Sequence, residues 1–197
     1  ENEDGTLSRQ KTSNYSEADQ VKCGSSSPDI FGGFSTVLRW KDIDLNAVFG
    51  YSVGGQIYNY SRQEYDSDGA YNDRNQMKLQ KGWNRWEKPG DIATHPKAEY
   101  GNKSQSSKGS SRYLEDASYL RLRSLTLGYT LPWKIQYVDN IRLSFSGENL
   151  FVLSGFSGVD PELPAEVGNK YKAGSVGVAI SPYPQARKFM FGLNVTF

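Results

Sequence analysis

The carboxy-terminal segment Lys188 to Phe197 places Phe189, Phe191, Leu193, Val195 and Phe197 in strict alternation with Lys188, Met190, Gly192, Asn194 and Thr196. A period of two is the period of a strand, so every apolar side chain of the segment lies on one face. A strand of this pattern that ends on a carboxy-terminal Phe is how an outer-membrane barrel closes, which points to lipid rather than cytosol.

Mean hydropathy of -0.66 and a hydrophobic content of 37% argue the other way at first, and no run approaches the length of a transmembrane helix. The conflict dissolves because barrel strands need only alternate residues apolar and long polar loops dilute the average. Aromatic content is more telling. At 13%, with 13 Tyr and 4 Trp, the chain is rich in side chains with one apolar and one wet end, which suit a membrane interface. A soluble β-sandwich shares the taste for Tyr and alternation and stands as the competing reading.

Other chemistries are disfavoured by composition. With 23 Lys+Arg against 22 Asp+Glu the net charge is +1, and no basic block follows a phosphate backbone, so no nucleic-acid partner is expected. Cys23 is the single cysteine and His95 the single histidine, which leaves no internal disulfide, no His/Cys metal cluster and no expected cofactor. His95 has no nucleophile motif beside it and reads as a solvated loop histidine; an enzyme is not expected. The chain opens on Glu1 without a secretory signal and is read as part of a longer polypeptide.

Along the chain, residues 1–30 read as an extracellular loop or the truncated end of a barrel, polar up to Ser27-Pro28. Phe34, Thr36, Leu38 and Trp40 then share one strand face, Lys41-Asp42 makes a tight turn, and Ile43, Leu45, Ala47, Phe49, Tyr51 and Val53 return. Residues 56–117 form a long loop. The next strand, from about Tyr119 to Leu131, carries Leu125, Leu127, Tyr129 and Leu131 on one face, but Leu120 and Leu122 fall on the opposite parity. Either a bulge near Arg123 restores the register or the part before Ser124 stands above the bilayer. Both keep Arg121 and Arg123 out of lipid, where a midplane Arg costs about 2–4 kcal/mol. Pro132 ends this strand, Ile141, Leu143 and Phe145 begin another, and a second long loop spans about 154–186, with Pro161, Pro164, Pro182 and Pro184. Gly128 and Gly147, inside strands, read as marks of a bend, a bulge or close approach.

Several runs, in this order, carry a family resemblance: Ser27-Pro28-Asp29-Ile30-Phe31-Gly32-Gly33-Phe34, Asn84-Arg85-Trp86, the stretch from Ser118 to Pro132, Gly147-Glu148-Asn149-Leu150-Phe151, Asp160-Pro161-Glu162 and Tyr183-Pro184. From about Asn14 onward the chain resembles the end of SusC/RagA-family TonB-dependent transporters. The resemblance implies an all-β fold, an antiparallel transmembrane β-barrel segment making about the last five strands of a roughly 22-stranded barrel with long extracellular loops. Residues 31–197 would hold those strands.

It further implies the carboxy-terminal part of an outer-membrane nutrient importer for oligosaccharides or peptides. The implied partners are the amino-terminal barrel strands and plug of the same parent, a SusD-like surface lipoprotein as lid, TonB acting through the plug, and outer-membrane lipid. Speculative contacts to substrate or lid are Tyr58, Tyr60, Trp83 and Trp86, whose flat faces suit sugar rings, and Arg85, for which a structural salt bridge is the simpler role. Packing of the loop upon itself is the simpler account of each of these aromatics taken singly. Asp160-Pro161-Glu162 reads as a loop-shaping turn. Phe189, Phe191, Leu193, Val195 and Phe197 would be the barrel-assembly signal. The alternatives are a secreted soluble β-sandwich that binds carbohydrate and a passive porin-like barrel fragment.

Overall fold

The computed structural model describes residues 12, 14–133, 135–162, 178–179 and 183–197; Pro164 and Pro182 of the second long loop lie outside them, as do residues 1–11 and 13 of the polar start of the chain. Among the described residues the strands are β1 (Ile30–Trp40), β2 (Ile43–Val53), β3 (Gln56–Asn59), β4 (Leu114–Asp116), β5 (Tyr119–Thr130), β6 (Asn140–Ser154), β7 (Val178–Ala179) and β8 (Lys188–Thr196). One short helix, α1 (Tyr60–Tyr65), and 3-10 turns at Tyr15–Glu17 and Ser111–Tyr113 complete the set.

The main sheet is antiparallel, in the order β1-β2-β5-β6-β8, and a small second sheet has the order β4-β3-β7. Register follows from the alternation. Trp40 pairs with Ile43 across a two-residue turn whose first residue, Lys41, has φ 54°, and Phe34, Thr36 and Leu38 pair with Phe49, Ala47 and Leu45. Leu45 faces Leu127, Leu127 faces Phe145, and Phe145 faces Phe191, so a single apolar row crosses all five strands. The opposite face carries Asp44, Asn46, Thr126, Ser144 and Ser146, as period two requires.

The phase break in β5 is a bulge. Val48 pairs with Ser124 and Phe49 with Leu122, leaving Arg123 as the extra residue. That one residue returns Leu122 and Leu120 to the apolar row beside Phe49 and Tyr51, which a regular strand would deny them. β6 answers with its own irregularity: Leu122 pairs with Phe151 but Ser124 with Glu148, and Asn149 takes φ 53°. On the polar face Arg121 is almost fully buried, its Nη2 2.5 Å from Asp160 Oδ2 and its Nε 2.5 Å from Glu162 Oε2, while Arg123 also pairs with Glu162. Asp160-Pro161-Glu162 is thus a turn whose two carboxylates meet two strand arginines, and Asp160 Oδ1 also accepts the Glu162 amide at 3.0 Å.

The expectation of a transmembrane β-barrel segment is corrected here. The five-stranded sheet is open: β1 pairs only with β2 and β8 only with β6, and no sheet closes on itself among the described residues. The physical reason is strand number, since tilt and shear close a sheet with a side-chain-filled interior at about eight strands, not five. The fold of this chain is all-β, an open antiparallel sheet with a second small sheet. Its apolar face is left uncovered by the described residues: Phe191 is 85% exposed and Leu38 60%.

The chain divides into two compact units, one made of the described part of Glu1–Gly24 with Tyr58–Leu114, the other of Ser25–Ile57 with Glu115–Phe197. The second holds the main sheet and a small apolar cluster of Ile57 and Phe156 with Ala117 packed on it. The first, the loop unit, has a different kind of core. Buried polar residues Asp66, Asp68, His95 and Asn102 surround one large buried aromatic, Tyr113. Residues 56–117, read as one long loop, therefore contain a folded body.

Candidate functional site

Asn59 begins the loop unit's architecture. Its side-chain carbonyl accepts the Arg62 amide at 2.9 Å and caps α1, which ends after Tyr65 because Asp66 leaves the helical region. The chain then turns sharply through Asp68 (φ 49°) and Gly69 (φ 86°). Gly69 is required twice over, by its left-handed backbone and because a Cβ there would collide with the Glu99 carbonyl. The turn is clamped by Glu99 N donating to Asp68 O at 3.0 Å and Gly101 N to Gly69 O at 2.9 Å.

This geometry buries two carboxylates side by side, Asp66 and Asp68, both 0% exposed. Two like charges so placed repel unless cations sit between them. Arg85 and Arg112 each bridge both. Arg85 donates from Nη2 to Asp66 Oδ1 at 3.0 Å and from Nη1 to Asp68 Oδ1 at 2.6 Å. Arg112 donates from Nη2 to Asp66 Oδ2 at 2.6 Å and from Nη1 to Asp68 Oδ2 at 2.5 Å. Ser106 Oγ adds a bond to Asp68 Oδ2 at 2.8 Å. Planar guanidinium forks fit such paired acceptors, which lysine could not do.

His95 completes the cluster and corrects the solvated-histidine expectation: it is only 2% exposed. Its Nε2 lies 3.0 Å from Asp66 Oδ2, without the alignment of a good hydrogen bond, and its Nδ1 is 2.8 Å from Thr94 Oγ1. The ring packs on Trp83 at 4.7 Å between centroids, and the Arg62 guanidinium covers Trp83 at 4.5 Å. Burial holds the His95 pKa below its ordinary value, and the Arg112, Arg62 and Arg85 charges push the same way against the opposing pull of Asp66. Burial raises Asp66. Burial alone would raise Asp68 too, but the hydrogen bonds from Arg112, Arg85 and Ser106 prevail and hold it low.

Beside this core the loop unit has an open groove, lined by Tyr15, Ser16, Ala18, Asp19, Gln20, Val21, Cys23, Tyr58, Gly109, Ser110, Ser111 and Leu114. Tyr15 donates its hydroxyl to Gly109 O at 2.6 Å, and Tyr58 donates to Gln63 Oε1 at 2.6 Å. Both tyrosine oxygens stand 3.5 Å from where a Gly109 Cβ would be, so the two hydroxyls converge on that residue. Gln63 in turn donates from Nε2 to Ser107 O at 3.0 Å, tying the groove wall to the segment that reaches Arg112. Mixed aromatic and hydroxyl linings of this kind hold polar ligands with flat apolar faces.

The speculative contact residues thus part company. Arg85 and Trp83 are built into the ionic core, Tyr58 lines the groove, Tyr60 opens α1 half-buried, and Trp86 is exposed. Phe189, Phe191, Leu193, Val195 and Phe197 are all exposed along β8 and its end, on the uncovered face. Sequence reasoning missed Asp66, Asp68, Arg112, His95 and Tyr15. Their partners are far apart in the chain, as with Arg112 and Asp66 at a separation of 46, and no local motif marks them.

No family model matches the chain. Among curated relatives, TonB-dependent receptor P3 of Formosa agariphila is 34% identical over 92% of this chain and 18% of its own length. TonB-dependent receptor SusC of Bacteroides thetaiotaomicron is 24% identical over 86% of this chain and 15% of its own. Among solved structures, that of the RagAB peptide transporter superposes with a TM-score of 0.68 at 27% identity, covering 88% of this chain and 18% of that one. The chain therefore spans under a fifth of the length of these proteins.

The open sheet also corrects the expected role. What the relatives carry is a family link to nutrient uptake by transport proteins, not enzymes, whereas a barrel-segment importer under a SusD-like lid needs a closed wall that the open five-stranded sheet does not make. Of the readings above, the alternative of a secreted β-sandwich that binds carbohydrate accords better with an open sheet than the barrel-segment importer does. By sequence and by fold, the chain is homologous at family level to the SusC/RagA-type TonB-dependent receptors of the outer membrane.

Proposed function

We propose that the chain serves nutrient uptake by capturing a short oligosaccharide in the groove between Tyr15 and Tyr58. The observation that carries this reading is a groove lined by two tyrosines whose hydroxyls converge at Gly109, with hydroxyls, one amide and one carboxylate but no Lys, Arg or His in its described lining. Sugar rings offer flat C–H faces to such aromatics and hydroxyls to such polar groups. Trp86, exposed on the same unit, serves as a second contact, to ligand or to a SusD-like lipoprotein. A peptide ligand is the second reading, favoured by the likeness to a peptide transporter.

The sheet's uncovered face and free edges call for partners outside this chain. Outer-membrane lipid covers the apolar row, and TonB, acting through a plug, is the partner that the family link adds. In the same assembly Phe189, Phe191, Leu193, Val195 and Phe197 serve as the signal that the assembly machinery reads, since alternate side chains of an added strand give such recognition its specificity. The test is saturation-transfer NMR on the full chain in detergent with a mixture of short neutral oligosaccharides and, separately, of short neutral peptides. Transfer to the sugars supports the first reading, transfer to the peptides alone the second, and transfer to neither overturns both.

A further inference from the structure

We propose that the His95–Asp66 contact makes the loop unit proton-sensitive, so that acid loosens the segment 84–95 and, through Arg112, weakens ligand capture in the Tyr15–Tyr58 groove. The effect on ligand rests on the capture reading above; the effect on the segment does not.

The cluster is balanced when His95 is neutral. Asp66 and Asp68 supply two negative charges, Arg85 and Arg112 two positive ones, and all four are joined pairwise. Protonation of His95 adds a third cation to the two that already bridge Asp66 and Asp68. The groups facing the ring come from every neighbouring element: Arg62 from α1 by way of Trp83, Asp66 and Asp68 from the turn, Arg85 and Thr94 from its own segment, and Arg112 from the 3-10 turn. A proton on His95 therefore puts a further cation beside Arg85 and Arg112, in a place where burial of the side chain leaves it weakly screened by solvent. The lowered pKa of His95 agrees with this geometry.

Relief is mechanical. Arg85 and His95 sit on one segment, closed by Trp86 N to His95 O at 2.9 Å, His95 N to Asn84 O at 3.0 Å, and Asn84 N to Thr94 Oγ1 at 2.9 Å. Moving it away removes both Arg85 and the imidazolium. Arg112 is then left as the sole bridge of two carboxylates, while its neighbours Ser110 and Ser111 line the groove. The sign is fixed by linkage: a histidine held below its ordinary value of 6.5 contributes stability that is full above that value and is lost as pH falls through the folded-state value.

Because His95 is the only histidine, its ring protons report alone in an NMR titration of the full chain in detergent. Expected are a midpoint below 6.5 and, over the same range, loss of hydrogen-exchange protection at the Trp86 and His95 amides after correction for intrinsic rates. Affinity for the oligosaccharides should fall about tenfold per pH unit below the transition, the slope of one proton. His95→Gln should keep protection without the pH dependence. A midpoint at or above 6.5, or protection that does not change with His95 titration, overturns the proposal. Should His95→Gln not fold, the wild-type titration and exchange data still decide. Loss of protection without any sugar binding at any pH sinks the capture reading but leaves the proton-sensitive segment standing.

Discussion

Arg142 reaches from β6 across β5 to Asp44 on β2, with Nη2 2.5 Å from Asp44 Oδ2, and the residue it passes over is Gly128, the β5 partner of Asp44. A Cβ on Gly128 would collide with both Arg142 Nη2 and Asp44 Oδ1. The glycine is therefore there for what its neighbours do, as the close-approach reading of a strand glycine requires.

Gly128→Ala should break this diagonal. We expect a cost of at most about 1 kcal/mol, comparable to that of Asp44→Asn, because the atoms that must move are the ends of two partly exposed side chains. A double-mutant cycle on Asp44 and Arg142, measured by denaturation in detergent, should show coupling in the parent and none in the Gly128→Ala background. Equal coupling in both would refute the steric account.

Deleting Arg123 should do more damage than replacing it. Removal of the bulge residue shifts Leu120 and Leu122 to the polar face and Arg121 to the apolar one, with Arg121 torn from Asp160 and Glu162. Arg123→Ala keeps the register and loses only the partly exposed pair with Glu162. Folding yield should collapse for the deletion and stay near the parent for the substitution; comparable yields would mean the bulge is not what sets the register.

Strand positions were legible because period two is local: each apolar residue of β1, β2 and β8 announces its face, and the phase break at Arg123 was itself readable as a bulge. Whether the sheet closes was not, since closure depends on strand number rather than on any residue. The ionic core was equally hidden. Asp66 and Asp68 look like solvated loop acids until Arg85, 17 positions from Asp68, and Arg112, 44 positions away, fold back on them. Arg85 carried the one useful hint, as an arginine between tryptophans already suited to a salt bridge.

Arg112→Ala should unfold the loop unit selectively. Taking one partner from a buried ion cluster typically costs about 3–5 kcal/mol. Hydrogen exchange should rise at Glu99 and Gly101, whose amides clamp the Asp68–Gly69 turn, while the β5–β6 ladder keeps its protection. Uniform loss across both would contradict a separately organised core.

Acid should act on the loop unit in stages. Loss begins as pH drops below the ordinary histidine value of 6.5. A second loss follows below 3.8, where Asp68, held low by its arginines, finally protonates; its contribution is full above 3.8 and disappears through the lowered value. Asp66, raised by burial, works in the opposite sense: its contribution is full below 3.8 and is lost as pH rises through the raised value. Exchange protection at the Glu99 amide followed across pH should show this staged fall; a single transition centred near 3.8 would mean His95 takes no part.

The most direct test of ligand capture is calorimetric titration of short neutral oligosaccharides into the full chain and into Tyr58→Ala and Tyr58→Phe. Loss of the ring should weaken binding about tenfold or more, near 1.4 kcal/mol, while loss of the hydroxyl alone, which is already given to Gln63, should change it little. Equal affinity for the parent and Tyr58→Ala would contradict the assignment of the Tyr15–Tyr58 groove as the site of capture.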